Sequence, residues 1–222
     1  MKKIVILGSG GNCVDILDTL FDINDARGKK IYECAGFLDD RPDKIGLSFY
    51  GVRVLGPLEK AHELSDCFFV FGIGSTSNFW KRHEILARTG IPDERFETVI
   101  HPTASVSRMS QVELGAVILQ HVTINNHAKI GRHVYVLPNT VISHDDIIAD
   151  FSCIAGGVSI SGNVHIGRSC YVGAGSSIRE GLRIGDNCLI GMGSIVLRDV
   201  PDNNVIVGNP AKFLRTTQAT ET

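Results

Sequence analysis

The 222-residue sequence carries little net charge and has no long apolar run. Its 22 Lys and Arg residues nearly balance 24 Asp and Glu residues, for a formal charge of −2. With this balance there is no excess of positive charge that would indicate binding to nucleic acid or to an anionic membrane. The apolar run near the start, residues 4–7, is too short for a secretory signal, and no window approaches the length of a membrane span. We therefore expect a cytoplasmic protein without nucleic-acid partners or membrane insertion.

CxxC spacing is also lacking. The sequence has six cysteines: Cys13, Cys34, Cys67, Cys153, Cys170 and Cys188. Without CxxC pairs, neither a zinc knuckle nor a redox pair is indicated. Cys170 and Cys188 are 18 residues apart, one coil of the repeat described next, so they should stack. In a reducing compartment we expect them to pack as small residues rather than to form a disulfide.

A six-residue repeat organises the second half of the chain. Ile or Val occupies every sixth position from Ile100 to Val196, and a compact residue usually follows four positions later. Asp146 and Leu182 break this second rule. A fixed period of this kind indicates a solenoid. The sequence predicts a triangular β-helix of 18-residue coils, about five in all, with the aliphatic residues pointing inward and stacked coils completing the core.

The hexads resemble the repeat of left-handed β-helix acyltransferases. The left hand is implied by this resemblance, because the period alone does not fix it. The resemblance also implies a homotrimer, with the acyl donor bound between neighbouring prisms.

The first half of the chain alternates predicted strands and helices. Predicted strands at residues 3–7, 31–38, 52–55 and 67–73 are separated by helices after Gly11 and over residues 57–64, and a helix over 78–89 follows. Such alternation predicts a small parallel sheet. Its glycine-rich strand ends, at residues 8–11 and 72–75, should share the carboxyl edge, where open α/β sheets bind ligands.

The first glycine turn is an incomplete dinucleotide fingerprint. Cys13 occupies the third glycine position, and Asp39 lies about thirty residues after Gly8 instead of the usual twenty or so. The spacing thus favours a tight turn over an NAD site. Asp39 and Asp40 are either ribose or base contacts or a solvated acidic turn. Lys81 and Arg82 either face a phosphate or are simply solvated.

This half resembles the sugar-nucleotide-binding domain that precedes the β-helix in PglD/NeuD-like acyltransferases. The matching segments are Gly8-Ser9-Gly10-Gly11, Gly36-Phe37-Leu38-Asp39-Asp40, Gly72-Ile73-Gly74 and, near the end, Val207-Gly208-Asn209-Pro210-Ala211-Lys212. The resemblance implies that the nucleotide is held by the glycine loops and the two acids, namely Ser9, Gly10, Gly11, Asp39, Asp40, Gly74 and Ser75. Arg82, in the first turns after the second glycine loop, is the predicted phosphate contact. It divides the chain into an α/β domain (1–97), a left-handed parallel β-helix (98–200) and a C-terminal extension (201–222), whose last residues, 216–222, should be loose.

His144 is the predicted general base. It lies where Asp146 displaces the expected compact residue, and a broken local rule in a regular chain tends to mark function. Asp145 could orient the imidazole. The 18-residue register stacks Gly162 next to His144, so its N–H is our candidate oxyanion donor. The family's catalytic strand resembles residues 139–145 and assigns the same roles to His144 and Asp145.

Acyl-coenzyme A is the implied co-substrate. Cys153 stands where the family often has a second histidine, so we expect it to line the acyl pocket, with a covalent acyl-cysteine as the less favoured alternative. His165 could partly replace that histidine. Gly173 and Lys212 complete the residues expected at the acyl-coenzyme A site.

No metal is expected. His121, His127 and His133 share one hexad position, and a six-residue spacing sends them to three sides of the prism. Histidines from different subunits could still converge, as in β-helical carbonic anhydrases, but the His pair five residues apart that those proteins use is absent.

The sequence therefore predicts an acetyl-coenzyme-A-dependent N-acyltransferase acting on a nucleotide-linked amino sugar. One alternative is an O-acetyltransferase acting on a sialic-acid-like sugar. Nucleotide binding by the N-terminal domain would distinguish the first function from this one. A carbonic-anhydrase-like zinc protein and a non-catalytic sugar-nucleotide-binding module are the alternatives of other classes. The nucleotide base, the position of the amine and the acyl chain stay open.

Overall fold

A computed structural model describes residues 1–217. Residues 218–222, part of the expected loose tail, lie outside the described residues. The first two residues of that tail are part of the fold. Thr216 ends a strand, and Thr217 is buried and donates its hydroxyl to the Asn187 carbonyl at 2.6 Å. The expectation of a loose segment is therefore wrong for Thr216 and Thr217.

The N-terminal domain is built on a five-stranded sheet. Its strands are β1 (Lys2–Leu7), β2 (Tyr32–Leu38), β3 (Ser48–Phe49), β4 (Val52–Gly56) and β5 (Cys67–Phe71), in the order β3-β4-β2-β1-β5. Strands β4, β2, β1 and β5 are parallel, as predicted, and β3 pairs antiparallel with β4. The four apolar residues of β1 are fully buried, as a strand covered on both faces requires.

Two α-helices and four 3₁₀ helices complete this domain. They are α1 (Gly11–Arg27), α2 (Arg82–Ala87) and the 3₁₀ segments Pro42–Lys44, Leu58–Glu63, Phe79–Lys81 and Asp93–Arg95. Helix α1 ends at Gly28, whose φ of 62° suits a left-handed C-terminal residue. The helix predicted over 57–64 is a shorter 3₁₀ helix, and the one predicted over 78–89 is also shorter and begins with a 3₁₀ turn.

The β-helix has a two-residue strand at each of the seventeen aliphatic positions. The strands β6 to β22 are Val99–Ile100, Ser105–Val106, Gln111–Val112, Val117–Ile118, Thr123–Ile124, Lys129–Ile130, Tyr135–Val136, Val141–Ile142, Ile147–Ile148, Cys153–Ile154, Ser159–Ile160, His165–Ile166, Tyr171–Val172, Ser177–Ile178, Arg183–Ile184, Leu189–Ile190 and Ile195–Val196. Each pairs in parallel with the strand 18 residues away. Strands β23 (Asn204–Val207) and β24 (Lys212–Thr216) extend one of the three sheets.

The interior of the prism follows the predicted alternation. The aliphatic residues from Ile118 to Val196 are buried, and so are the compact residues that follow each turn. Asp146 takes one of these compact positions and is 0% exposed. Cys170 and Cys188 are buried in the same core, both as free thiols.

The first residue of each strand points outward, so the prism has three faces. The docked face presents Val99, Val117, Tyr135, Cys153, Tyr171 and Leu189; the uncharged face presents Ser105, Thr123, Val141, Ser159, Ser177 and Ile195; the charged face presents Gln111, Lys129, Ile147, His165 and Arg183. The N-terminal domain packs on the docked face, where the Tyr135 hydroxyl donates to the Asn12 carbonyl at 3.0 Å. No helix among residues 1–217 is long and apolar enough to cross a membrane.

Candidate active site

The turn from Ser143 to Asp146 projects two polar side chains from the edge between the uncharged and charged faces. The buried Asp146 carboxylate accepts the Ser143 N–H at 2.8 Å within the turn and the Val164 N–H at 2.8 Å from the next coil. Burial raises the pKa of Asp146 to about 6, since these neutral donors only partly offset the loss of water. Asp146 thus fixes the turn that carries His144 and Asp145 outward.

His144 and Asp145 form a hydrogen-bonded pair at the surface. The Nδ1 atom of His144 lies 2.9 Å from Oδ2 of Asp145, and the two side chains are 52% and 45% exposed. The hydrogen bond to His144 lowers the pKa of the Asp145 carboxyl. An ionised carboxylate only accepts hydrogen bonds, so in the neutral imidazole of His144 the proton is on Nδ1 and the lone pair is on Nε2. This is the arrangement of a general base with an orienting carboxylate.

Gly162 leaves the space that the His144 ring occupies. A Cβ atom at Gly162 would lie 2.5 Å from Cε1 and 2.6 Å from Nε2 of His144. The coils are in register here, because Asn163 donates its N–H to the His144 carbonyl at 3.0 Å. The Gly162 N–H makes no hydrogen bond within residues 1–217. Gly162 is thus next to the imidazole with a free donor, and its role at an oxyanion stays a prediction.

A second imidazole, which we had not predicted here, contacts Asp145 from the preceding coil. Nδ1 of His127 lies 3.4 Å from Oδ1 of Asp145. His127 and Asp145 are 18 residues apart, so the repeat period contained the signal for this contact.

A cleft of about 590 Å³ opens at the carboxyl edge of the N-terminal sheet. Seven of the eight predicted nucleotide-binding residues line it: Ser9, Gly10, Gly11, Asp39, Asp40, Gly74 and Ser75. The start of α1 faces the same space, with no acidic residue in its first turn, which suits an anion. Arg41 and Arg88 also line the cleft and were missed, because nothing in the sequence separates them from other surface arginines.

Asp39 is fully occupied with protein partners. Its carboxylate accepts the Ser9 hydroxyl at 2.6 Å and the Ser9 N–H at 2.9 Å, together with Nε and Nη2 of Arg41 at 3.0 and 2.9 Å. Burial alone would raise its pKa, but the hydrogen bonds from Arg41 and Ser9 outweigh burial and hold it well below the usual range. Asp39 therefore orients Ser9 and Arg41 at the rim of the cleft.

Asp40 is the more exposed member of the pair. One carboxylate oxygen accepts the Leu58 N–H at 2.9 Å, and the other lies 3.3 Å from Nη2 of Arg88. Asp40 thus faces the cleft while anchoring the start of a 3₁₀ helix.

The prediction that Arg82 contacts the nucleotide is wrong. Arg82 is 0% exposed and does not line the cleft. Its guanidinium donates to the carbonyls of Ile73 at 2.7 Å, His133 at 2.9 Å and Phe151. These acceptors come from both domains, so Arg82 ties the N-terminal domain to the β-helix.

Cys153 does not face an open acyl pocket within this chain, so that prediction needs correction. It is 3% exposed on the docked face, and a Cβ atom at Gly74 would lie 2.8 Å from its sulfur. Burial raises the pKa of the thiol, which argues against a covalent acyl-cysteine. Cys153 packs between the domains.

The other predicted acyl-site residues do not converge with His144 in one chain. His165 lies on the charged face beside a shallow hollow of about 390 Å³. Gly173 lies in the turn at the opposite edge of the uncharged face, where a Cβ atom would come within 2.5 Å of the Met192 nitrogen. Lys212 is exposed at the start of β24.

The histidines at the shared hexad position do not form a cluster. His133 is buried against Phe151, with ring centroids 5.2 Å apart, and burial lowers its pKa to about 4. Across residues 1–217, no group of three or more His, Cys, Asp or Glu side chains is arranged to hold a metal ion.

Comparison with protein families matches both domains. Residues 3–88 match the PglD N-terminal domain, and residues 163–198 match the bacterial transferase hexapeptide repeat. The UDP-N-acetylbacillosamine N-acetyltransferase of Bacillus subtilis is 29% identical over 121 residues, 54% of this chain and 52% of that protein. The chain thus spans about half the length of this curated relative.

Solved structures match along nearly the whole chain. The acetyltransferase domain of PglB from Neisseria gonorrhoeae, in complex with acetyl coenzyme A, superposes with a TM-score of 0.81 at 25% identity, covering 96% of this chain and 99% of that one. PerB from Caulobacter crescentus, in complex with CoA and GDP-perosamine, gives a TM-score of 0.82 at 24% identity over 97% and 98%. These similarities confirm the predicted fold: an α/β domain followed by a left-handed β-helix.

Proposed function

Because this chain joins a PglD N-terminal domain to a hexapeptide-repeat β-helix, we propose that it is an acetyl-coenzyme-A-dependent N-acetyltransferase of nucleotide-linked amino sugars. The observation that carries the proposal is the His144–Asp145 pair, exposed at a coil edge with its ring against Gly162. The similarity to PglB, whose structure contains acetyl coenzyme A, supports the co-substrate.

The geometry suits proton removal from an amine. As the sugar amine attacks the thioester carbon, Nε2 of His144 accepts its proton, and the Asp145 carboxylate that accepts the Nδ1–H offsets the positive charge on the ring. The free N–H of Gly162 donates to the carbonyl oxygen as negative charge develops there. The C–S bond then breaks, and the coenzyme A thiolate leaves and takes the proton from Nε2, which restores the base. Much of the rate enhancement then comes from holding the two substrates together.

The cleft in the N-terminal domain is proposed to bind the nucleotide diphosphate. Arg41, Arg88 and the start of α1 supply positive charge and free N–H groups on its walls. Ser9, Gly10, Gly11, Gly74 and Ser75 allow close approach, and Asp40 offers an acceptor to the ribose. Asp39 contributes through Ser9 and Arg41.

We propose a homotrimer formed through the uncharged face. Its outward residues are small or aliphatic, whereas the docked face is covered and the third face is charged. His144 lies at one edge of the uncharged face and Gly173 at the other. Lys212 follows Ala211, which donates its N–H to the Ile195 carbonyl of the same face. Packing these faces around a threefold axis would bring opposite edges of neighbouring subunits together, leaving a groove for the acyl donor.

An O-acetyltransferase of sialic-acid-like sugars remains the second candidate, because the same base would serve a hydroxyl. A cleft separate from the base, lined by two arginines and the start of α1, favours the nucleotide-linked substrate. We place the reaction in the cytoplasm, where acetyl-coenzyme A and sugar nucleotides are made.

The test is His144→Ala, assayed by thiol release from acetyl-coenzyme A with a panel of UDP-, dTDP- and GDP-linked amino sugars. We expect kcat to fall about 10²–10⁴-fold with little change in substrate affinity, since a general base contributes that much. His62→Ala removes an exposed histidine of the N-terminal domain that does not line the cleft and serves as the control. Unchanged turnover in His144→Ala contradicts the assignment, and turnover only with free sugars selects the O-acetyltransferase.

A further inference from the structure

The Asp145 carboxylate is shared between two imidazoles from successive coils. One oxygen, Oδ2, is 2.9 Å from Nδ1 of His144, and the other, Oδ1, is 3.4 Å from Nδ1 of His127. The ring of His127 has no other polar partner within residues 1–217, and its side chain is about half exposed. Both oxygens of the carboxylate therefore face histidines.

The backbone holds this arrangement in place. Asp145 donates its N–H to the carbonyl of Asn126 at 3.1 Å, so its peptide lies directly over the turn that carries His127. Both residues adopt the left-handed conformation, with φ of 60° for His127 and 61° for Asp145. The two side chains thus leave equivalent points of adjacent turns and point the same way.

We propose that His127 is a positioning residue for the acyl transfer. Its imidazole holds Oδ1 of Asp145, which keeps Oδ2 on Nδ1 of His144 and so keeps the free lone pair on Nε2. The catalytic part of this inference rests on the proposed function.

An exposed carboxylate with a single partner turns readily about its terminal torsion, which is broad and roughly twofold. A second contact on the other oxygen restricts that rotation. The tautomer of an imidazole is set by the hydrogen bond that one of its two nitrogens makes. A residue that holds the hydrogen-bond partner of an imidazole also commonly fixes the orientation of the ring. The contact at 3.4 Å is long and exposed, so the expected effect is modest.

The experiment compares His127→Ala, His127→Asn and Asn187→Ala in the full-length protein. In His127→Ala we expect kcat to fall about twofold to fivefold, the range of an exposed polar contact, with KM for acetyl-coenzyme A unchanged. Asn tolerates the left-handed conformation and keeps an N–H donor, so His127→Asn should regain most of the activity. Asn187→Ala carries the same backbone strain at φ 55° in a turn between the charged and docked faces, away from Asp145 and from the proposed groove, and should match the wild type.

Nitrogen-15 NMR of the His144 ring gives a readout that needs no turnover. We expect the Nδ1–H tautomer to dominate in the wild type and in His127→Asn, and to lose population in His127→Ala. An unchanged tautomer and kcat in His127→Ala would overturn the proposal, as would an equal loss of activity in Asn187→Ala. If the wild type acetylates no sugar nucleotide, the proposed function fails, while the tautomer measurement still decides whether His127 positions Asp145.

Discussion

The two domains each contain a pair of adjacent aspartates, and in each pair one carboxylate is buried while the other faces solvent. In the N-terminal domain, the buried Asp39 is bonded to the Arg41 guanidinium and to Ser9, and its pKa is held well below the usual range. In the β-helix, the buried Asp146 has only two main-chain N–H partners, and its pKa rises to about 6. The comparison shows that burial alone does not set the charge; the kind of donor does.

The exposed members are in turn positioned by the buried ones. Asp146 fixes the turn from which Asp145 reaches His144. Asp39 fixes Arg41 and Ser9 at the rim of the cleft that Asp40 also lines. Each pair therefore combines one buried scaffold carboxylate with one exposed carboxylate at the candidate site, and the buried member comes first in one pair and second in the other. Substitutions of single members can break this division of roles.

The largest effect is expected from Asp39→Asn. The amide offers one acceptor oxygen where the carboxylate serves five donor contacts, and it loses the charge opposite Arg41. We expect the free energy of unfolding to fall by about 2–3 kcal/mol, because buried donors lose their partners. Nucleotide affinity should fall at least about tenfold, since Arg41 loses its orientation.

Urea unfolding and calorimetric titration with UDP, GDP and dTDP measure the two effects of Asp39→Asn. Asp66→Asn, an exposed aspartate of the same domain, is the control; equal losses there would contradict the role of Asp39.

The next largest effect is the pH dependence caused by Asp146. Its folded-state pKa of about 6 lies above an unfolded value near 4, so the folded state binds the proton more tightly. Its contribution to stability is therefore fully present below the unfolded pKa and is lost as pH rises through about 6. Two pKa units correspond to about 2–3 kcal/mol.

Asp146→Asn removes this titration. The stability of the wild type relative to Asp146→Asn should therefore decrease by about 2 kcal/mol between pH 4 and pH 7. Urea unfolding at several pH values measures the difference, and groups common to both proteins cancel. Asp145→Asn is the matched control: the lowered pKa of Asp145 gives a dependence of opposite sign. A pH-independent difference for Asp146→Asn would show that the pKa of Asp146 is the same in the folded and unfolded states and would contradict this prediction.

The regular part of the molecule was predictable because its contacts are periodic. The hexad alone located all seventeen strands of the prism, and the 18-residue register placed Gly162 against His144. The same register pairs His127 with Asp145. The contact was predictable from this register but was not predicted, because the shared hexad position relates the three histidines to one another and not to an acid at a different position one coil away.

Contacts between the domains were not predictable in the same way. Arg82 and Cys153 were assigned to ligands, yet both are buried where the N-terminal domain meets the prism. A lone arginine in a helix has the same local sequence whether it faces a phosphate or three carbonyls of distant segments. Only the packing of one domain on the other distinguishes these cases. The residues at the carboxyl edge of the sheet were easier to predict, since the strand order and the glycine turns place Ser9 and Asp39 together.

The smallest effect is expected from Asp40→Asn, the exposed member of the N-terminal pair. The amide oxygen can still accept the Leu58 N–H, and the lost contact with Arg88 is an exposed ion pair at 3.3 Å. Such pairs contribute little, so we expect the free energy of unfolding to change by less than about 0.5 kcal/mol. Nucleotide affinity should change by no more than about threefold, because an amide oxygen still accepts from a ribose hydroxyl. The same unfolding and titration experiments measure both. A loss as large as that of Asp39→Asn would mean that the two aspartates share the scaffold role, and the division between buried support and exposed contact would then hold only for the pair in the β-helix.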